Sequence, residues 1–290
     1  MFYALAIASM LAYALQSTLL VRHARTIDGL SLAFYRNISF VITLLPLTFG
    51  SSHQDIAQAF TYMPKLLLAG LLGGIGLALL FTALRAIPAG VATAFSTAAK
   101  TMLMTFFSWI FLGEILTPAA LWLIVVIVSG CIVLGVQRNP MKHLTNMMVI
   151  GLGLVFLSSI SHASTMFIYA EISRKTNPLL IGYMWEVSIG LATFAMLLVR
   201  LVFFKKHIEK ISWKNFGDIA ICVSPTLIGT GCLGLAVQLG PIGIVSAIGA
   251  GSLFITTVLS HWWYGEVLNR GQWIGLFLIL IGVACMKFVI

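Results

Sequence analysis

The sequence predicts an all-α integral membrane protein with ten transmembrane helices, arranged as two inverted five-helix repeats. Only 9% of the 290 residues are charged, 60% are hydrophobic and the mean hydropathy is +1.05, whereas soluble domains carry about 25% charged residues. The apolar runs approach twenty residues, the length that a helix rising about 1.5 Å per residue needs to cross about 30 Å of hydrocarbon. In addition, the second half of the chain repeats the pattern of the first.

The apolar runs predict helices and not a transmembrane barrel. Barrel strands are segments of about ten residues that alternate apolar and polar side chains, and residues 121–136 and 274–284 do not alternate. The first run begins at Phe2 without a basic leader, so we expect it to be the first span and not a removable signal peptide. The predicted spans lie near residues 2–21, 31–50, 65–86, 90–112, 118–137, 147–169, 178–200, 215–238, 242–264 and 271–289.

The internal repeat relates five spans to five spans. ALRAIPAGVATA at 83–94 aligns with AVQLGPIGIVSA at 236–247, which pairs Pro88 with Pro241. Because five is an odd number, the second copy must enter the membrane from the opposite side, so equivalent spans lie around an axis in the membrane plane. We predict repeats at residues 1–138 and 145–290, an architecture that suits alternating access. Further equivalent residues are Leu112-Gly113-Glu114 with Tyr264-Gly265-Glu266 and Gly130 with Gly282.

These features resemble the drug/metabolite transporter superfamily, in its EamA-type branch of ten-helix carriers. The resemblance covers nearly the whole chain and includes the arginine of Phe34-Tyr35-Arg36, early in span two. It implies a carrier that exports or exchanges amino acids or related metabolites, although relatives also import solutes. The chain departs from the pattern at Thr101 and Leu253, where relatives often carry a proline, which puts helix bends at those two positions in doubt.

Other function classes fit the sequence less well. The four cysteines lie in apolar segments without a C-x-x-C pair, so we predict no metal, redox role or cofactor. The net charge of +9 comes from basic residues between apolar runs, which set topology and do not indicate a nucleic-acid partner. An intramembrane enzyme would need clustered histidines or an aspartate pair, and His162 is the one deep histidine. We therefore expect no enzyme; an ion channel or a structural membrane partner is the remaining alternative.

Three ionisable residues are predicted to lie within the hydrocarbon region, where a charge costs at least about 2.5 kcal/mol. Lys100, Glu186 and Arg36 lie at depths of about 15, 12 and 8 Å in spans four, seven and two. Lys100 and Glu186 are too deep to reach the interface comfortably, whereas Arg36 can alternatively extend toward its own end of the helix. Glu114 and Glu266, at the ends of spans four and nine, are instead expected to be structural caps.

Polar side chains recur at helical spacing around these charges and predict a central cavity. An alternative for each uncharged member is that small and polar residues only allow membrane helices to pack closely. The stripes are Thr93, Thr97, Lys100 and Met104; Tyr183, Glu186, Gly190 and Thr193; Ser158, His162, Thr165 and Tyr169; and Ser9, Tyr13 and Gln16. The substrate-binding candidates are Arg36, Lys100, Glu186, His162, Gln16 and Tyr13, with the aromatic Tyr35, Tyr183 and Trp185 for an apolar moiety.

The deep charges favour a small metabolite with an anionic group. Arg36 and Lys100 against Glu186 leave a sum of +1. Glu186 could contact an amine of the solute, could exchange a coupling proton, or could pair permanently with Lys100. We therefore expect a multi-pass protein of the cell (inner) membrane, surrounded by lipid, that carries a small metabolite.

The loop charges make orientation testable. The loops on the face that carries both termini hold four basic residues and those on the opposite face hold eleven, which by the positive-inside rule places the termini outside; the family resemblance favours termini inside. We expect a cysteine introduced in the loop Lys205–Lys214, in a background without native cysteines, to resist impermeant reagents in intact cells. Labelling of that loop from outside would reverse the orientation and leave the repeat intact.

Overall fold

The structure is a computed structural model that describes residues 1–24, 26–83, 87, 89–135, 146–205, 209–265 and 268–289. All regular secondary structure in these ranges is helical, which confirms the predicted fold class. The α-helices are α1 (Phe2–Ala24), α2 (Gly29–Thr43), α3 (His53–Thr61), α4 (Met63–Ala83), α5 (Ala89–Leu112), α6 (Pro118–Gly135), α7 (Asn146–Ser173), α8 (Pro178–Phe204), α9 (Trp213–Val223), α10 (Thr226–Leu239), α11 (Ile242–Ala250), α12 (Ser252–Tyr264) and α13 (Arg270–Met286), and a 3-10 turn spans Leu45–Thr48.

Eight helical segments in the described ranges are long and apolar enough to cross a membrane. The helices α2 and α13 lie where the second and tenth spans are predicted, but they have only 15 and 17 residues. The predicted number of ten spans therefore remains a prediction.

Two of the predicted spans are divided in the structure. The eighth is divided into α9 and α10 at Ser224–Pro225, because proline lacks the N–H of the helix ladder and its ring crowds the preceding turn. The ninth is divided into α11 and α12 at Gly251. In contrast, α5 runs without a break through Thr101, where relatives often carry proline.

Left-handed glycines end the equivalent spans four and nine. Gly113 and Gly265 have φ of +65° and +66° and follow α5 and α12 directly. Glycine is favoured at this position because a Cβ would be strained at positive φ. The two repeats thus share this helix end in structure as well as in sequence; the equivalent Glu266 and Pro88 lie outside the described residues.

Helix packing follows an exchange of the two halves. The α4–α7 contact is among the most extensive in the bundle, and so is its repeat-equivalent, α1–α10. Exchange of the two halves turns α6 into α13 and α13 into α6, so the α6–α13 contact is its own equivalent. This contact is also among the largest. An in-plane pseudo-two-fold axis accounts for all three contacts.

The crossing of α6 and α13 is reciprocal at the level of single residues. A Cβ at Gly130 would lie 2.9 Å from Ile279 Cγ1, and a Cβ at Gly282 would lie 2.5 Å from Ile127 Cγ1. Gly130 and Gly282 are repeat equivalents, and Ile127 and Ile279 are separated by the same 152 residues. Gly275 adds a close backbone approach, because its Cβ would lie 2.7 Å from Gly130 O. Small residues therefore bring the two backbones together here, as is common in membrane helix pairs.

The face opposite the termini is held by contacts of Asp28 with the end of α8 and with the segment that follows α8. Asp28 caps the start of α2, accepts a hydrogen bond from Arg200 at 2.6 Å, and donates its backbone N–H to Glu209 at 2.7 Å. Burial raises the pKa of the Asp28 carboxyl, but hydrogen bonds from Ser31 and Arg200 outweigh this and leave its pKa below the usual value. The pair therefore stays ionised at neutral pH and fixes the position of α2.

The glycine crossing gives a stability prediction. Gly130→Ala should lower the free energy of unfolding in detergent by about 1–3 kcal/mol, because its new methyl group overlaps Gly275 O and Ile279. The matched control is Gly153→Ala on α7, where no atom lies within 4 Å of the new Cβ. That change should leave stability unaltered or raise it by up to about 1 kcal/mol, since alanine is the better helix former. Thermal unfolding curves that move equally for both variants would contradict the importance of this crossing.

Candidate functional site

Glu186 is buried in the middle of α8 and is 2% exposed. Its carboxyl group lies near the Thr230 side chain and in the electrostatic field of Arg36. Since Thr230 belongs to α10 and Arg36 to α2, the carboxylate lies between helices of both repeats. A charge in this position needs such partners, because an isolated ion in a low-dielectric medium is strongly destabilising.

Thr230 is the centre of the hydrogen bonds around Glu186. Its hydroxyl lies 2.8 Å from the Tyr13 hydroxyl, and its carbonyl accepts a hydrogen bond from the Tyr169 hydroxyl at 3.4 Å. Gly182 permits the close approach of α8, since a Cβ there would lie 2.8 Å from Thr230 Cγ2. The helices α1, α7, α8 and α10 therefore meet at one threonine.

Trp185 forms an aromatic wall beside this cluster. Its ring stacks on Tyr169 with centroids 4.4 Å apart and an interplanar angle of 17°. The indole N–H donates to Thr165 Oγ1 at 3.0 Å, so its polar atom is satisfied within the bundle. The exposed fraction of Trp185 is only 8%. Because its ring is buried and stacked on Tyr169, Trp185 positions the Tyr169 ring.

Arg36 points into the bundle and not toward the near end of its helix. Its guanidinium lies 4.6 Å from the centroid of the Phe40 ring, one turn further along α2, and donates to Asn37 Oδ1 at 2.9 Å. A cation over an aromatic face is stabilised by the ring quadrupole. This geometry differs from the alternative in which the Arg36 side chain extends to the membrane–water interface.

Lys100 and His162 form a second polar group, between α5 and α7. Lys100 interacts electrostatically with Cys131 and with His162, and His162 also lies in the field of Arg36. The imidazole Nδ1 lies 2.9 Å from Ser158 O, and the ring packs against Gly76, where a Cβ would lie 2.7 Å from Nδ1. The two polar groups are thus connected electrostatically through Arg36.

Lys100 and Glu186 do not form an ion pair in this conformation. In the part of the chain that the structure describes, the ion pairs are Lys65–Glu171, Lys175–Glu171, Arg174–Glu114 and Arg200–Asp28. Arg36, and not Lys100, supplies the positive charge that acts on Glu186.

Several members of the polar stripes serve helix packing. Ser158 and Thr165 donate hydrogen bonds to the carbonyls of Gly76 and Ala69 on α4, and Ser9 donates to Gly229 O on α10. These contacts agree with the packing alternative for uncharged residues. On α8, Gly190 and Thr193 likewise lie against Asn37 of α2.

The remaining candidates are dispersed. Gln16 is 3% exposed on α1, one turn from Tyr13. Tyr183 donates to Val41 O at 3.3 Å on the outer side of α2. Tyr35 donates to Glu209 O at 2.8 Å. It borders an apolar surface groove of about 290 Å³ with Trp213. The structure therefore brings Tyr13, Arg36, Trp185 and Glu186 together and leaves Tyr35 and Tyr183 outside that group.

Thr230 is the main residue that the sequence reasoning missed. The available signal was the pair Thr226 and Thr230, spaced one helical turn apart on a glycine-rich span.

Among the residues that the structure describes, no group of three or more His, Cys, Asp or Glu side chains could hold a metal ion.

A bundle of apolar helices built from two repeats, with charges buried between them, is the architecture of a multi-pass membrane transporter. The model of the EamA-like transporter family matches residues 1–136 and 149–288. The chain therefore belongs to the EamA-like transporter family, within the drug/metabolite transporter superfamily.

Comparison with individual proteins adds support for the fold. No curated protein matches the chain. A solved structure titled "Crystal structure of protein" is similar over 99% of this chain and 95% of its own, with 15% identity and a TM-score of 0.74. At that identity the likeness establishes the fold alone. The predicted repeat boundaries at 1–138 and 145–290 remain a prediction.

The hydrogen bonds of Thr230 can be tested with a matched pair of variants. Thr230→Val keeps the shape of the side chain but removes the hydroxyl that lies 2.8 Å from the Tyr13 hydroxyl and beside the Glu186 carboxyl, so we expect transport to fall about tenfold. The control, Thr226→Val, lies one turn away on the same helix face, is equally buried, and loses a hydroxyl without a hydrogen-bond partner. It should transport like the parent. Equal activity of the two variants in a flux assay would remove Thr230 from the site.

Proposed function

We propose that the chain carries a small polar or amphipathic metabolite, an amino acid or a related compound, by alternating access. The observation that supports this proposal is the buried Glu186, which lies near Thr230 of the second repeat and in the field of Arg36 of the first. A carrier needs its binding groups where the repeats meet, because a movement of one repeat against the other then changes access to the solute.

The substrate class follows from the charges of the cluster. Arg36 is half-buried and satisfied on its own helix by one hydrogen bond, so further N–H donors remain for a carboxylate or another anionic group. Lys100 and His162 extend the positive region toward α5. Glu186 then contacts an amine of a zwitterionic solute or exchanges a proton, and the aromatic rings of Trp185 and Tyr13 are the groups that would contact an apolar moiety.

Coupling to protons is part of this proposal. The positive charge that acts on Glu186 is that of Arg36, whereas the sequence suggested Lys100 for this role. Arg36 and Glu186 belong to different repeats, so rocking changes the distance between their charges. A nearby cation favours the ionised carboxylate, whereas separation in a low-dielectric cavity favours the protonated form. Protonation of Glu186 would then follow conformation. Family membership is in keeping with export or exchange across the cell (inner) membrane.

Solute flux in proteoliposomes, measured over a panel of metabolites, tests the proposal. Lys100→Ala and Glu186→Ala should abolish or strongly reduce transport, because each removes a deep charge of the cluster. Glu186→Gln should retain solute binding but lose the pH dependence of transport, since the amide cannot titrate. The measurement is uptake or exchange as a function of pH, with and without an imposed proton gradient.

Three results would contradict parts of this proposal. Normal transport by both alanine variants, with normal membrane insertion, would show that these charges are only tolerated. An unchanged pH profile in Glu186→Gln would exclude Glu186 from proton coupling. A parent protein that is indifferent to the gradient would be a facilitative exchanger.

A further inference from the structure

An ion pair joins the two repeats on the face that carries the termini. Arg174, just after α7, contacts Glu114, which follows the left-handed Gly113 at the end of α5. The Arg174 guanidinium also donates to Val237 O at 2.8 Å and to Gly240 O at 2.7 Å. One carboxylate of the first repeat thus organises an arginine and a loop of the second.

Glu114 also caps a helix of the other repeat. Its Oε2 accepts the Ile242 backbone N–H at 2.9 Å at the start of α11, where Pro241 provides no side-chain cap. A negative charge at a helix N-terminus is stabilised by the helix dipole and by the unpaired N–H groups. The expectation that Glu114 is a structural cap is therefore met, but the helix it caps belongs to the opposite repeat.

The helices behind this ion pair are tightly packed. A Cβ at Gly243 of α11 would lie 3.3 Å from Thr105 Cα, so the backbones of α5 and α11 touch near the termini face. Span nine packs differently from its repeat equivalent, since α11 and α12 both make little contact with α13, whereas α5 packs extensively against α6. The two halves of span nine are joined at Gly251, which gives a point where α12 can diverge. In the described conformation α5 and α11 are therefore in contact behind the ion pair at the termini face.

A polar vestibule lies directly outside the ion pair. It has a volume of about 490 Å³ and is lined by Arg174 together with Asp55, Gln58, Asn177 and Gln238 among others. A solute that passes between the central cluster and the termini face must cross the layer between this vestibule and Thr230. Along α10 that layer holds Gly234, whose Cβ would lie 2.6 Å from the Tyr169 hydroxyl.

We propose that Glu114 and Arg174 form the gate of the termini face, made when that face is closed and broken when it opens. Opening separates α5 from α11, and this separation removes the contacts of Glu114 with Arg174 and with Ile242 together. Both side chains are partly accessible, with exposed fractions of 13% for Glu114 and 25% for Arg174, so water from the vestibule can solvate them after separation. The proposal rests on alternating access as proposed above, but closure itself can be measured without any solute.

The test uses accessibility of a buried position behind the gate. Ser246 on α11 is 3% exposed, and its hydroxyl has no hydrogen-bond partner, so Ser246→Cys is a mild change. In the full chain without its four native cysteines, this thiol is exposed to an impermeant maleimide on each face of sealed vesicles in turn. The parent should label slowly from the termini face. Glu114→Gln and Arg174→Ala should each raise that rate about tenfold, the effect of losing one charge-assisted hydrogen bond.

Lys175→Ala is the matched control. Lys175 is adjacent to Arg174 and also forms an ion pair, but with Glu171 four residues earlier in the same repeat, so its removal should not change labelling. Gel filtration of each variant shows whether it is folded; if Arg174→Ala is not, Glu114→Gln and Arg174→Lys carry the test. Folded gate variants that label at the parental rate would overturn the gate. If the gate variants label faster but the parent transports no solute, the result would instead contradict the proposed function and support the gate.

Discussion

Hydrocarbon offers no water to backbone N–H and C=O groups, so every spanning segment must satisfy them within the chain. A helix meets this requirement by itself. Because lipid tails are as apolar as the side chains, however, no hydrophobic force holds one helix against the next. The bundle is instead held by close backbone approach at small residues, as at Gly130 and Gly275, and by hydrogen bonds from serine and threonine to carbonyls of neighbouring helices. Glu186 is likewise a buried polar group, and the Thr230 side chain and Arg36 are its polar neighbours within the bundle.

Most of the fold could be predicted from the sequence, because the length of an apolar run is a local property and the repeat is found by comparing the chain with itself. The αL glycines at 113 and 265 show this well, since the Gly-Glu ends were recognisable before their backbone angles were known. The division of span nine at Gly251 could not be predicted, because glycine is common in membrane helices and its close contacts, here with Met10 and Val283, depend on the packed structure. Likewise, the short lengths of α2 and α13 do not follow from hydropathy.

The candidate site was predictable only as a set of charged residues. Their depth in the hydrocarbon identified Arg36, Lys100 and Glu186, since depth follows from position along a span. Which of these residues contact each other does not follow from position along a span, because contacts depend on how the helices are rotated against each other. Hence the pairing of Lys100 with Glu186 was a reasonable expectation, and the structure instead places Arg36 near the carboxylate. Uncharged partners such as Thr230 carry even less signal, because threonine is frequent at ordinary helix contacts.

The reciprocal contacts of α6 and α13 also bear on the origin of the chain. Gly130 meets Ile279 and Gly282 meets Ile127, so each half presents the same patch to the other. In an oligomer such an arrangement would be called an isologous interface, the kind that closes a symmetric dimer. A chain of half this length would therefore already possess a surface complementary to a second copy of itself, inserted upside down. Gene duplication and fusion of such an antiparallel homodimer would give the present architecture without a new interface. The two copies would then be free to diverge elsewhere, as Lys100 and Glu186 show, since the equivalent positions in the other repeat carry no charge.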